Sequence, residues 1–599
     1  MTLTGQGERG TTKRCAAAFP FHRLGMLFVA CAAWSCGGQA ASDKPSDPSS
    51  SGGSGGGNAT KAGGAGQTAS QAGGGGASLP TGGASAGAGI GGESAGGFAP
   101  VPTKSSVVLR GVPFYSRALR LTNSQWQHAV TDVLRLTDPP DLSVDFEAPR
   151  LGTDFTNNEQ VLNVTGRLAQ SYETGAEAAA ALATGSEAAL AALYEGTDPE
   201  GFVRELGWRA FRRPLSADEE QKYLGVFNQG EVLYGAGFAN GAALVIRALL
   251  QSPHFLYRTE LGPAGDALDG LELASKLSFW LLGTTPSDEL LEAAAAGRLG
   301  SEQELEDAAR QMLDEAAATR VMRDFHGQLF HFARYAEITK VGVPDYTPEL
   351  NSELEQASYL FFDRVFEQNL GFRDVLTSST GYVGPAMAAL YRLTAPASGF
   401  EVRDLGPMRR GFFMQLPFLI SHSVNAEPSP IHRGLTLHLD VLCGALEAPV
   451  GEVPTLPPPI AGQTNRQRVT QLTAGCGGDC HNAFIDPLGF AFENFDGMGR
   501  ERSTDNRLTV DASGVYPFSD GTHSFTNALE LMGIMADSAQ PHTCYAKKLA
   551  SYALQRDMIE PDRPLLEALA QVSSDHSLKE MVIALVKDPA FRLRPASAP

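Results

Sequence analysis

Ser301-Glu302-Gln303-Glu304 and Ser216-Ala217-Asp218-Glu219 decide how this chain folds. In each, a serine accepts a hydrogen bond from the backbone three residues on, and the glutamate there reaches back to the serine N–H. Apolar residues at helical spacing follow both boxes, so each opens an amphipathic helix. Working outward, Thr285-Pro286-Ser287-Asp288 sets a threonine N-cap before a proline at the first helical position. Alanine-rich runs at Ala176 to Ala192 and Leu290 to Ala296 favour helix, with Gly185 interrupting the first. From 117 to about 395 strand-like alternation is scarce. The expectation is a mainly α chain, a multi-subdomain helical array.

The C-terminal third changes character. Pro449, Pro454 and Pro457-Pro458-Pro459 predict a stiff, extended surface strap. A turn-rich piece follows around Asp511-Ala512-Ser513-Gly514. Helix returns from 526 to 590, through Asn527 to Met535, Cys544 to Gln555 and Asp562 to Val572.

Between strap and turn lies Cys476-Gly477-Gly478-Asp479-Cys480-His481. Two cysteines with a histidine directly after the second resemble the attachment signature of haem c, in which two thiols bond to the vinyl groups and the imidazole ligates the iron. Three residues separate these cysteines where the usual spacer is two. Under that reading Cys476, Cys480 and His481 hold the cofactor, and His481 is the ligand of the haem iron. Phe484, Phe490, Phe492 and Phe495 shield the macrocycle, Arg500 and Arg502 pair with propionates, and Met498, Met532 or Met535 supplies the sixth ligand. Two other readings stand beside it. A Cys476–Cys480 disulfide closes a glycine-rich loop, with no cofactor and with His481 hydrogen-bonded to a nearby carboxylate. Alternatively the three residues bind zinc, with Cys443 or Cys544 as fourth ligand.

The other constellations are weaker. Asp486 before Pro487 reads as a turn residue accepting backbone hydrogen bonds. Glu493 and Asp496 are the carboxylates of a hydrolase reading. His326 and His331 are five apart, whereas metal pairs on a helix prefer four, so they belong to a core or surface helix face.

The N-terminus points to the compartment. Arg9, Lys13, Arg14 and Arg23 precede a short apolar core, Leu24 to Trp34, so residues 1–36 read as a signal peptide. Ala33-Trp34-Ser35-Cys36 resembles a lipoprotein cleavage site with Cys36 lipidated; ordinary cleavage nearby, for example after Ala40, is the alternative. Residues 37–105 are dominated by Gly, Ser and Ala, a composition that cannot bury enough apolar surface to offset its ordering entropy, and so a disordered tether. This predicts a cell-envelope protein on a lipid anchor, with Gly37 favouring the outer membrane. The net charge of −20 argues against nucleic-acid partners. Of seven cysteines, only Cys443, Cys476, Cys480 and Cys544 belong to the mature body. Cys443 and Cys544 are disulfide candidates that would staple the last two segments together.

Several segments resemble a secreted multi-module family of domains of unknown function, known mainly from planctomycetes and myxobacteria. The residues carrying the likeness are Arg120-Leu121-Thr122-Asn123 to Leu136 (1587), Trp208 to Leu215 with Leu250 to Arg258 (1595), Leu273 to Leu281 (1592), Arg409-Arg410-Gly411 with Ser429 to Gly434 and Cys476 to Arg502 (1588), and Cys544 to Arg556 (1585). The modules are expected over 117–180, 198–258, 259–395, 404–502 and 515–590. Relatives are often fused to cytochrome c domains. The resemblance therefore implies haem binding and electron transfer with a redox partner; a link to envelope polysaccharide is the alternative it carries.

Overall fold

The computed structural model describes residues 106–111, 117–150, 152–446, 456–474 and 480–594, all within the unit Ser94–Pro599. The leader, Cys36, the tether, Pro449, Pro454 and Cys476 lie outside the described residues.

The chain is mainly α, with strands only in two-stranded pairs among the described residues. Both capping boxes form as read: Ser216 caps Ala217–Tyr234 and Ser301 caps Glu302–Leu313. Gly185 ends Gly166–Thr184, and Ser186 starts Glu187–Leu193 beside it. The helix read from Thr285 begins later, as Asp288–Ala295, because Ser287 accepts from the Leu290 N–H and takes the cap. The turn-rich piece near Asp511 leads into an antiparallel hairpin, Gly514–Phe518 with Gly521–Phe525. Pro457, Pro458 and Pro459 lie exposed, and the Pro457 carbonyl accepts from Arg468.

Two of the quoted motifs that sit in otherwise helical surroundings are paired strands. Ala118–Arg120 runs antiparallel to Tyr257–Thr259 and ties the chain's first motif to one some 140 residues later. One core gathers residues from Leu121 to Leu256, with Phe279, around Trp126, Phe202 and Phe255. A second runs from Leu268 to Phe591 and takes in Phe155 from the first module. It includes Phe361, Phe362 and Phe412, Leu488 and Phe492, and Met535 and Tyr545, so the segments from Leu268 onward share one interior. Among the described residues no helix is long and apolar enough to cross a membrane.

Candidate functional site around His481

His481 opens a single wide turn, His481–Ile485, that runs directly into the helix Asp486–Phe490. Phe484 and Ile485 both donate backbone N–H to the Cys480 carbonyl at 3.1 Å, the second across five residues. Pro487 lacks the N–H that an ordinary helical turn would use here and is relieved of a clash when the turn widens.

The wide turn brings the His481 ring against Asp486. Nδ1–H donates to Asp486 Oδ1 at 3.1 Å, and the other carboxylate oxygen accepts from Thr473 Oγ1 at 2.8 Å. Asp486 is buried. Its side chain holds a histidine and a threonine, where the sequence suggested that it accepted from the backbone. With Nδ1 carrying the proton, Nε2 has its lone pair open, and it has no hydrogen bond among the described residues. The side chain keeps 20% of its surface exposed. Cys480, half-buried and next in the chain, has no disulfide among the described residues. Cys480 and His481 thus place one thiol and one carboxylate-braced imidazole side by side at this turn.

The support for this segment is close backbone packing. The helix Pro430–Thr436 crosses Asp486–Phe490 at two glycines that face each other's carbonyls. A Cβ on Gly434 would lie 1.9 Å from the Ile485 oxygen, and one on Gly489 would lie 1.9 Å from the Pro430 oxygen. Between the glycines' neighbours runs Arg433, fully buried. Its guanidinium donates to the carbonyls of Leu419, Phe492, Phe495 and Asp496 and so fixes the chain that leaves the site. Burial pulls its pKa down to about 10.

The residues reserved in the sequence for a macrocycle are occupied elsewhere. Phe490, Phe492 and Phe495 are core side chains, and half-buried Phe484 packs 5.1 Å from the His438 ring. Arg500 pairs with Asp345 and Asp496. Arg502 pairs with Glu493 at 2.7 Å and Asp505 at 2.8 Å. Met498, Met532 and Met535 are buried in the large core. Glu493 and Asp496 do not form an acid–base pair. Buried Glu493 accepts from Arg502 and Asn465, with burial raising its pKa. Asp496 Oδ1 accepts from the N–H groups of Met498 and Arg500 and shapes a turn.

Cys443 and Cys544 are joined, S–S 2.03 Å with Cα atoms 5.3 Å apart. Neither is therefore available as a fourth zinc ligand, and among the described residues no group of three or more His, Cys, Asp or Glu is placed to hold a metal ion. His326 is a core residue: Nδ1–H donates to the Met322 carbonyl and Nε2 accepts from Tyr545 O–H, both at 2.8 Å. His331 leaves the helix altogether and adopts a left-handed conformation, φ 56°. No motif announced Asp486 as the histidine's partner. The signal was its spacing of five from His481, which only a widened turn turns into a contact.

A mainly α chain with a thiol and a braced imidazole at a surface turn is the class this geometry defines. Comparison with family profiles is more specific. Five profiles, each described as a protein of unknown function, match in sequence: DUF1587 over 119–185, DUF1595 over 199–260, DUF1592 over 268–393, DUF1588 over 409–505 and DUF1585 over 521–591. The chain belongs to the multi-module family that these domains make up. The DUF1588 match, which contains Cys480, His481 and Asp486, is to a domain family associated with cytochrome c. Neither the curated proteins nor the solved structures include a match to this chain.

Proposed function

We propose that this is an electron-transfer protein of the cell envelope, anchored through a lipid on Cys36, that carries haem c on Cys476 and Cys480 with His481 as axial ligand. The observation that supports it most is the hydrogen bond from His481 Nδ1 to a buried Asp486 carboxylate, itself held by Thr473. This brace fixes the tautomer, leaving Nε2 without a proton, and holds the orientation of the ring. Bound haem supplies one-electron chemistry; Asp486 tunes it by making the imidazole a stronger donor.

The test is the chain exported to the periplasm of a host with cytochrome c maturation machinery. A pyridine haemochrome spectrum and an intact mass one haem heavier, both lost in Cys480→Ala, are expected. Asp486→Asn should keep the haem and raise its midpoint potential, because the imidazole loses its anionic partner. Colourless protein would sink the proposal.

Two observations favour a second reading, the first being that the His481–Asp486 hydrogen bond is also what a cofactor-free loop calls for. The second is that the phenylalanines and arginines beside the site already have protein partners. On that reading the chain is a non-catalytic surface protein binding polysaccharide or another envelope component, with structural disulfides only. Colourless protein retained on an envelope glycan is its signature.

A further inference from the structure

Four of the segments that carry the family likeness meet around one cavity of about 220 Å³. Thr122 comes from the first of them, Arg258 ends the second, Lys276 and Trp280 lie in the third, and Tyr552 and Gln555 in the fourth. The pairing of Ala118–Arg120 with Tyr257–Thr259 brings the first two together. The helix Gly270–Leu281 sets Lys276 and Trp280 four residues apart on one face. Haem at His481 gives none of these segments a role. The volume is below the roughly 300 Å³ at which drug-sized sites begin, so it suits a compact guest.

Two further observations mark it as more than a packing gap. Asn157 and Trp280, both in the wall and both more than nine-tenths buried, hold polar atoms without a partner among the described residues. Asn157 Oδ1 accepts no hydrogen bond, although Nδ2 donates to the Tyr552 carbonyl at 2.9 Å and fixes the amide. The Trp280 indole N–H has no acceptor. An acceptor and a donor left over in one small cavity call for a partner there, since buried polar atoms ordinarily have one. Lys276 beside them has three N–H groups and one hydrogen-bond acceptor among the described residues, Glu260 Oε2 at 3.3 Å. The second observation is charge. The wall carries Lys276, Arg258 and Arg320 against Asp324 alone. Glu260, outside the wall, pairs with both Lys276 and Arg258, which still leaves a cationic excess in a chain of net charge −20.

These groups select the guest. Lys276 Nζ and the Trp280 N–H, donors on one helix face, suit a carboxylate. Asn157 Oδ1 suits a hydroxyl. Ser124, Arg320 and Asp324 are exposed and mark the mouth, where Arg320 favours entry of an anion. We propose that this cavity binds a small hydroxycarboxylate, its carboxylate received by Lys276 and Trp280 and its hydroxyl by Asn157. The site is independent of haem at His481, because neither Cys480 nor His481 lines it.

The probes are D-glucuronate and D-glucose, which share a ring and differ in the carboxylate, titrated into the whole chain by calorimetry near pH 7. Saturable one-to-one binding of glucuronate is expected, with glucose weaker by about tenfold or more, the worth of a hydrogen bond to a charged group. Acetate, which keeps the charge and lacks the hydroxyls, should also bind more weakly than glucuronate. Trp280→Phe keeps an aromatic ring and removes one N–H; it should weaken glucuronate by about tenfold while leaving the thermal unfolding curve in place. Ser124→Trp, a change at the exposed mouth, should block glucuronate outright, and it serves as the test where Trp280→Phe does not fold. No saturable binding of glucuronate, equal binding of glucose or acetate, or glucuronate binding unchanged in the folded variants overturns the assignment.

Discussion

At the scale of single residues, the interior is organised by polar side chains with defined protonation. His326 is fully buried, stacks 4.4 Å from Phe362, and joins the helix Ala316–Leu329 to Tyr545. Burial drives its pKa down to about 3. The ring is neutral in the fold and takes up a proton on unfolding, so its contribution is complete above pH 6.5 and is lost as the pH falls toward about 3. Between pH 7 and pH 4 this one group should remove on the order of 3 kcal/mol. Chemical denaturation at both pH values checks it. His326→Gln, which can still donate and accept, should be less stable at pH 7 but noticeably less acid-sensitive. An unchanged acid sensitivity in that variant would show that the loss arises elsewhere.

At the scale of elements, the crossing of Pro430–Thr436 with Asp486–Phe490 has no room for a side chain at either glycine. Gly434→Ala or Gly489→Ala must push one backbone away from the other. Each should cost about 3 kcal/mol or more, as overpacking against unyielding backbone does. Gly533 is the control. It lies within the helix Ala528–Asp537 and has no atom within 4 Å of where a Cβ would stand. Gly533→Ala should therefore raise stability by up to about 1 kcal/mol through helix propensity. Urea midpoints of the three variants test the contrast: equal effects would refute the packing argument. The capping boxes were legible at this scale because they are written in four consecutive residues. The hairpin Gly514–Phe518 with Gly521–Phe525 was not, because its alternation is short and broken by Pro517.

At the scale of the whole molecule, the Cys443–Cys544 bond connects the DUF1588 segment to the DUF1585 segment across a separation of 101 residues. Closing so long a loop removes much conformational freedom from the unfolded chain, worth about 4 to 5 kcal/mol in the entropy model. Cys443→Ser combined with Cys544→Ser should lower stability by that order, and dithiothreitol should do so in the parent but not in the double variant. A reductant effect that persists in the double variant would assign the stabilisation to another thiol pair. The shared interior from Leu268 to Phe591 leads one to expect a single cooperative transition for the last three modules, despite their separate family profiles.

The sequence by itself determined the mainly α class, most of the helix starts, the order of the five modules and the adjacency of the thiol and imidazole. These are local properties, carried by capping chemistry, periodicity and short motifs. Only the tertiary structure decided what those residues do. Arg500 and Arg502 look like anion-binding arginines in a list of residues, yet one faces Asp345 and the other a buried Glu493. Arg433 looks like a surface charge, yet it is held by four carbonyls in the interior. The His481–Asp486 brace depends on one widened turn, and the hydrogen bond of His326 with Tyr545 on contact between segments 219 residues apart. A side chain's hydrogen bonds, burial and charge state follow from its neighbours in space, and in a chain folded through shared cores those neighbours are seldom its neighbours in sequence.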